Sequence, residues 1–174
     1  MKSWKTWKIV LFIAVCTLLN VGGKLLSVWW DLPLWADSFG TALCAYVAGP
    51  WSGAIVGLTG NLAYCVINRL SAAYSVTSVA LGIIVGYAAR KRWFDQFYGF
   101  MKAASFAMLT ALVVSVPVNL LFADGYTGNK WGDGVIDYLK DKEWPVYICV
   151  ILGQLAIEFA DKVLTILAVY IVFL

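Results

Sequence analysis

The sequence contains no histidine, and only 13% of its 174 residues are charged. A chain without histidine lacks the side chain used most often as a metal ligand and as a proton shuttle near neutral pH. The sequence also lacks a nucleophile elbow, a phosphate-binding glycine loop and a cluster of metal ligands. We therefore expect no catalytic residues, no metal and no cofactor, and we do not expect an enzyme. The net charge of +3 does not indicate nucleic-acid binding.

Apolar residues dominate instead, at 62% of the chain, whereas a soluble domain is about 45–50% apolar and about 25% charged. They occur in long runs, and a chain of this length has no soluble core large enough to cover them. The sequence therefore predicts an all-α integral membrane protein. The four cysteines lie in apolar surroundings, which favours small buried side chains over a disulfide or a metal site. They are Cys16, Cys44, Cys65 and Cys149.

The apolar runs predict a bundle of six transmembrane helices in a single domain, residues 1–174, since one crossing needs about 20 residues. The expected spans are 8–28, 37–49, 50–70, 72–89, 100–122 and 157–174. Residues 123–156 are expected to form an outer loop with interfacial helices. The stretch from Trp144 onward is too long for one simple crossing. This stretch forms either one tilted or bent helix, or an interfacial segment followed by a true transmembrane span. We favour the second arrangement.

Basic residues indicate the orientation, because cytoplasmic loops are enriched in lysine and arginine. One side of the predicted bundle holds Lys2, Lys5, Lys8, Arg90, Lys91, Arg92 and Lys102. That side and both termini are therefore expected in the cytoplasm, with the protein in the cell membrane. Trp29, Trp30 and Trp35 are expected to anchor the outer interface. No basic residue closes the last span, so we expect the native chain to continue past Leu174. An intact mass equal to that of these 174 residues would contradict this expectation.

Polar side chains inside a membrane are costly, so each needs a partner or a function. Several of them gather in the outer third of the predicted bundle, which indicates a solute site open to the exterior. Amides would bind the polar edge of the solute, Lys24 or Lys162 would meet a carboxylate or phosphate, and aromatic rings would stack. The alternative is that these groups pair with one another and hold the helices together. The candidates are Asn20, Lys24, Asn61, Tyr64, Asn68, Asn119, Trp131, Glu158 and Lys162.

Small residues recur at helical spacing on two predicted helices. Such faces either dock a partner or pack tightly inside the bundle, and we favour packing. The candidate docking residues are Gly53, Gly57, Ser78, Gly82 and Gly86.

The stretch LPLWADSFGT at residues 32–41, the run GPWSGAIVG at residues 49–57, and Ala45 and Asn61 resemble the S components of energy-coupling factor (ECF) transporters. Asn20, Gly23-Lys24 and Asp161-Lys162 fit the same pattern. The resemblance implies a six-helix bundle that captures a vitamin or related micronutrient from outside. It also implies a membrane T component and two ATPase subunits as partners, with ATP hydrolysed by the partners.

The chain departs from this family at one place. Many S components carry an Ala-xxx-Ala face on the first helix that docks the T component, but here Ala14 is followed by Leu18. Coupling to a T component is therefore left open. The alternative is a ligand-sensing transmembrane domain of a larger signalling protein, and a third possibility is a purely structural membrane scaffold.

Overall fold

The computed structural model describes residues 6–173, and within this range the chain is helical with no strand. The α-helices are α1 (Thr6–Trp29), α2 (Phe39–Ala48), α3 (Pro50–Tyr64), α4 (Ser71–Arg90), α5 (Phe97–Phe122), α6 (Lys130–Lys140) and α7 (Val146–Val172), with a 3-10 turn at Trp93–Asp95. The predicted all-helical class is confirmed for this part of the chain. Lys2, Lys5 and Leu174, which entered the expectations on orientation and chain end, lie outside the described residues.

Three of these helices, α1, α4 and α5, are long and apolar enough to cross a membrane. Large apolar side chains on them face outward, as expected for contact with lipid; Leu18 of α1 is 70% exposed. The helices α2 and α3 have only 10 and 15 residues. The longer α7 carries Glu158, Asp161 and Lys162 near its middle. The structure is thus compatible with a membrane helical bundle, while length and composition alone do not establish six crossings.

The last helix differs from its predicted form. α7 runs without interruption from Val146 to Val172, so the expected break before residue 157 is wrong. Pro145 occupies the N-cap position and begins the helix instead of interrupting it. At 1.5 Å per residue, 27 residues extend about 40 Å, which exceeds a hydrocarbon core of about 30 Å. A tilted helix accommodates this length.

The chain between α1 and α2 is not helical. Residues 30–38 run back alongside the second half of α1, so α2 begins only at Phe39. Gly23 permits this close approach, because a Cβ atom there would overlap with the carbonyl oxygen of Ala36. The Ser27 hydroxyl donates to the carbonyl of Leu34 and holds the two segments together. We refer to residues 30–38 as the descending segment; it places Trp35 and Asp37 inside the bundle.

The two faces of small residues lie between helices and not on the surface. A Cβ atom added to any of their glycines would overlap with atoms of α2, α3 or α4. The docking interpretation is therefore wrong for these positions, because the neighbouring helices already cover them. The residues concerned are Gly53, Gly57, Ser78, Gly82 and Gly86.

The two halves of the bundle differ in polarity. The main apolar core occupies the half that ends at Arg90, and it includes Leu81, Val85, Phe100 and Ile166. The opposite half contains most of the buried polar and charged side chains. All four cysteines are free, and three of them are buried. The polar half is therefore the part of the fold that can hold a polar ligand.

Candidate functional site

A cavity of about 80 Å³ lies in the polar half of the bundle. Residues from α1, α4, α5, α7 and three loops line it. Its charged lining residues are Lys24, Asp37, Glu158 and Lys162, and its hydroxyl-bearing ones are Ser71, Tyr74, Thr77, Ser78, Ser115 and Thr127. Trp35, Asn68, Gly128 and Gln154 also contribute to the lining. The wall is thus polar and aromatic on most sides, unlike the apolar core beyond it.

Lys24 lies at the meeting point of α1 and the descending segment. Its Nζ is 3.0 Å from Asp37 Oδ2, and it lies 5.2 Å from the centroid of the Trp35 ring and 4.9 Å from that of Tyr64. This ion pair joins α1 to the descending segment.

Lys162 is the second buried cation at the cavity. Its Nζ lies 2.6 Å from Asp161 Oδ2 and 3.1 Å from Glu158 Oε2. It also donates to Ser38 Oγ over 2.8 Å. Lys162 thus forms hydrogen bonds with Asp161 and Ser38 and an ion pair with Glu158. The same contacts tie α7 to the descending segment.

A chain of hydrogen bonds crosses from α4 to α7 behind the cavity. The Tyr74 hydroxyl donates to Asn119 Oδ1. Asn119 Nδ2 then donates to Gln154 Oε1 over 2.8 Å, and Gln154 Nε2 donates to Glu158 Oε1 over 2.8 Å. Each bond points toward Glu158, so the carboxylate receives the last proton donor of the chain.

The loop before α6 covers one end of the cavity. Thr127 and Gly128 line the cavity beside Trp35. Asn129 Nδ2 donates to the carbonyl of Leu32 over 3.0 Å, and Trp131 Nε1 donates to the carbonyl of Asp31 over 2.7 Å. We call these two bonds the latch, because they fasten residues 127–131 to the descending segment.

The structure brings only some of the sequence-predicted residues to the cavity wall. Lys24, Asn68, Glu158 and Lys162 line it directly. Asn61 does not line the cavity itself, but its Nδ2 donates a hydrogen bond over 2.7 Å to Oγ of Ser78, which does. Asn119 likewise contacts the wall through Tyr74 and Gln154.

Three of the predicted site residues do not line the cavity. Tyr64 packs its ring against Lys24 behind the wall. Asn20 Nδ2 donates to Thr41 Oγ1 over 2.8 Å and links α1 to α2. Trp131 is 58% exposed and lies outside the cavity, where its indole forms part of the latch.

Sequence reasoning missed several lining residues. Trp35 was assigned to an interfacial belt, yet the descending segment turns it inward to the cavity. Tyr74 and Ser71 follow helical spacing with Ser78 on α4, and this signal was available in the sequence. Gln154 stands one turn before Glu158, at the i,i+4 spacing that predicts a shared helix face.

Two lining atoms, Thr77 Oγ1 and Glu158 Oε2, have no hydrogen-bond partner within the described part of the chain. Thr77 Oγ1 makes no hydrogen bond there, although the residue is only 6% exposed. A buried hydroxyl without a partner costs free energy that a bound molecule can offset. The cavity wall therefore offers a hydroxyl that is free to form a hydrogen bond.

No protein-family model, curated protein or solved structure matches this chain. The ECF resemblance thus rests on the residues that carry it. In the fold, many of these residues join α1, the descending segment, α2 and α3. Four of them, Lys24, Trp35, Asp37 and Lys162, line the cavity.

Proposed function

We propose that this chain is a membrane-embedded solute-binding subunit that captures a small solute from outside the cell for ECF-type uptake. The main observation in support is that one covered cavity is lined by four charged side chains, those of Lys24, Asp37, Glu158 and Lys162. Charges that served only to join helices would require no space between them. Here they surround a cavity, and the unpartnered Thr77 hydroxyl lies in its wall.

The direction of capture in this proposal follows from the basic residues. The cavity occupies the half of the bundle away from Arg90, Lys91 and Arg92. These residues belong on the cytoplasmic side under the positive-inside rule. The proposal therefore has six crossings, both termini in the cytoplasm, and a cavity that opens outward beneath the latch.

The role in ECF transport rests on the resemblance described above. In the proposal a T component and two ATPase subunits are the partners, and ATP hydrolysis belongs to them. The solute is a vitamin or related micronutrient. Pockets for drug-sized ligands measure about 300–1,000 Å³, whereas this cavity measures about 80 Å³ with its cover closed. A vitamin-sized solute therefore requires the cover to move.

The direct test is mass spectrometry of small molecules that co-purify with the full chain from a detergent extract. We expect one solute to be retained by the wild type and lost from Ser115→Phe, because the new ring would fill the cavity. Val113→Phe is the matched control: it lies on the same helix, but its side chain is 72% exposed on the outside. Equal retention by both variants, or no solute in the wild type, would contradict the proposal.

A second measurement tests the coupling to ECF partners. Uptake of the identified solute is followed in cells that express this chain with or without a T component and its two ATPases. We expect accumulation only when all are present. Solute binding without accumulation in either case would limit the proposal to binding alone.

A further inference from the structure

The buried charges at the cavity do not balance. Counted in their charged forms, two cations, Lys24 and Lys162, face three anions, Asp37, Asp161 and Glu158, which gives a net charge of −1. All five side chains are at most 15% exposed. A buried charge without compensation is unfavourable in a low-dielectric interior. A ligand with a positive charge would compensate the ionised form of the third carboxyl group.

Both ammonium groups are already occupied by partners from the protein. Lys162 donates hydrogen bonds to Asp161 and Ser38 and forms an ion pair with Glu158. Lys24 is paired with Asp37 and lies near two aromatic rings. A solute carboxylate or phosphate would compete with these carboxylates for the positive charge of the two lysines. The expectation that Lys24 or Lys162 binds an anionic solute therefore lacks support from the geometry.

The groups left for a ligand are those that attract a cation. Glu158 lines the cavity, and its Oε1 accepts a hydrogen bond from Gln154. Its Oε2 lies 3.1 Å from Lys162 Nζ but has no hydrogen-bond partner among the described residues. The unpartnered Thr77 hydroxyl can accept a hydrogen bond in the same cavity. The rings of Trp35 and Tyr74 contribute aromatic faces, which attract positive charge.

We propose that the solute is a small organic cation with a positively charged nitrogen, bound beside Glu158 between the rings of Trp35 and Tyr74. Its charge brings the net charge of the site to zero. This inference rests on the proposed function and names its substrate class. It also explains why the buried lysines are paired with carboxylates: they hold the descending segment and α7 in place and do not contact the solute's charge.

The test uses probes matched in shape and different in charge. The purified full chain in lipid nanodiscs is heated with benzylammonium, benzyl alcohol or benzoate, and with choline or its uncharged analogue 3,3-dimethylbutan-1-ol. Sodium chloride at equal ionic strength is the salt control. We expect at least one cation to raise the melting temperature by about 3–6 °C at ten times its Kd. Its uncharged and anionic analogues should leave the melting temperature unchanged.

Each alternative result has a defined meaning. A rise with benzoate or an uncharged analogue that equals or exceeds the cation's would overturn the inference while leaving solute binding intact. A rise with sodium chloride alone would also overturn it, in favour of an inorganic cation. No rise with any probe, together with no co-purifying solute, would contradict the proposed function itself.

Glu158→Gln provides a second, independent readout. It removes one negative charge and keeps the side-chain shape, so we expect the cation-induced rise to disappear. The empty variant should melt at the same temperature as the wild type or higher, because its buried charges then balance. Asp95→Asn, an exposed carboxylate paired with Arg92 at the other end of the bundle, is the control and should keep the full cation response. An unchanged cation response in Glu158→Gln would contradict the inference. The wild-type probe series decides the question if this variant does not fold.

Discussion

The backbone N–H of Ala36 donates a hydrogen bond to Asp161 Oδ1 over 2.8 Å, although the residues are 125 positions apart. The descending segment has irregular backbone inside a bundle of apolar helices, and such backbone is tolerated in a membrane only where protein or a cavity covers it. Asp161 supplies the acceptor that this segment lacks locally. The same carboxylate pairs with Lys162 over 2.6 Å. One side chain therefore positions both a loop and a cation of the site.

The first prediction concerns the hydrogen bond between Ala36 and Asp161. We expect Asp161→Ala to lower the free energy of unfolding by about 3–5 kcal/mol, because it leaves the Ala36 N–H without its acceptor and removes a partner of Lys162. Thermal unfolding of the detergent-solubilised chain, followed by tryptophan fluorescence, measures this loss. Asp95→Ala removes an exposed carboxylate paired with Arg92 and should cost less than about 1 kcal/mol. Similar losses in the two variants would show that Asp161 has no special role.

The second prediction uses two adjacent glycines of α1. A Cβ atom at Gly23 would overlap with the Ala36 carbonyl, whereas one at Gly22 has no atom within 4 Å. Gly23→Ala should therefore displace the descending segment and destabilise the protein by about 1–3 kcal/mol. Gly22→Ala should be neutral or stabilise it by up to about 1 kcal/mol, because alanine favours the helix. Paired melting curves test this, and the opposite ranking would argue against the observed path of residues 30–38.

The third prediction contrasts a buried lysine with an exposed one. Lys162→Met leaves Asp161 and Glu158 without their shared cation, so we expect a loss of about 3–5 kcal/mol in the free energy of unfolding. Lys130→Met breaks the surface ion pair with Asp31. An exposed ion pair contributes only about 0–1 kcal/mol to the free energy of unfolding. Both are measured by thermal unfolding without ligand. A Lys162→Met variant as stable as the wild type would refute the charge arrangement at the cavity.

The fourth prediction concerns the latch. Trp131→Phe keeps an aromatic ring but removes the indole N–H that bonds to Asp31. We expect a bound cation to dissociate about five- to tenfold faster, because one hydrogen bond of the closed cover contributes about 1 kcal/mol. Stopped-flow displacement of the probe identified in the melting series measures this rate. Trp51→Phe is the control, since Trp51 is exposed at the start of α3, away from the cavity. Equal rates in the two variants would show that the latch does not govern release.

The parts of the fold that the sequence predicted well are those set by local hydrophobicity. The bounds of α1, α4 and α5 lie within three residues of their predicted spans, because long apolar runs need only their own residues to satisfy the backbone. The bounds of α2 lie within two residues of their prediction, but the lengths of α3 and α7 were predicted poorly. α3 ends at Tyr64, six residues before its predicted end, and turns follow it up to the start of α4. α7 stays continuous from Val146, with Pro145 at its N-cap position.

The candidate site shows the same division. Lys24, Glu158 and Lys162 stood out because a charge in an apolar run is costly wherever the chain folds. The spacing of Glu158 and Lys162 by four residues favours their pairing within one helix, and Asp161 is adjacent to Lys162. The pairing of Lys24 with Asp37 was not predictable, since it depends on the path of the descending segment. Trp35 and Trp131 illustrate the limit most clearly. Both are aromatic residues near predicted helix ends, yet one lines the cavity and the other fastens its cover.

The sequence by itself determined that this chain is helical, strongly apolar and equipped with a few buried charges, because composition and hydrophobic run length act on every residue separately. Only the tertiary structure decided that these charged groups meet around one cavity. The physical reason is that the balance of a charged site depends on distances between helices. Residues 36 and 161 share a hydrogen bond only because α1, the descending segment and α7 pack side by side.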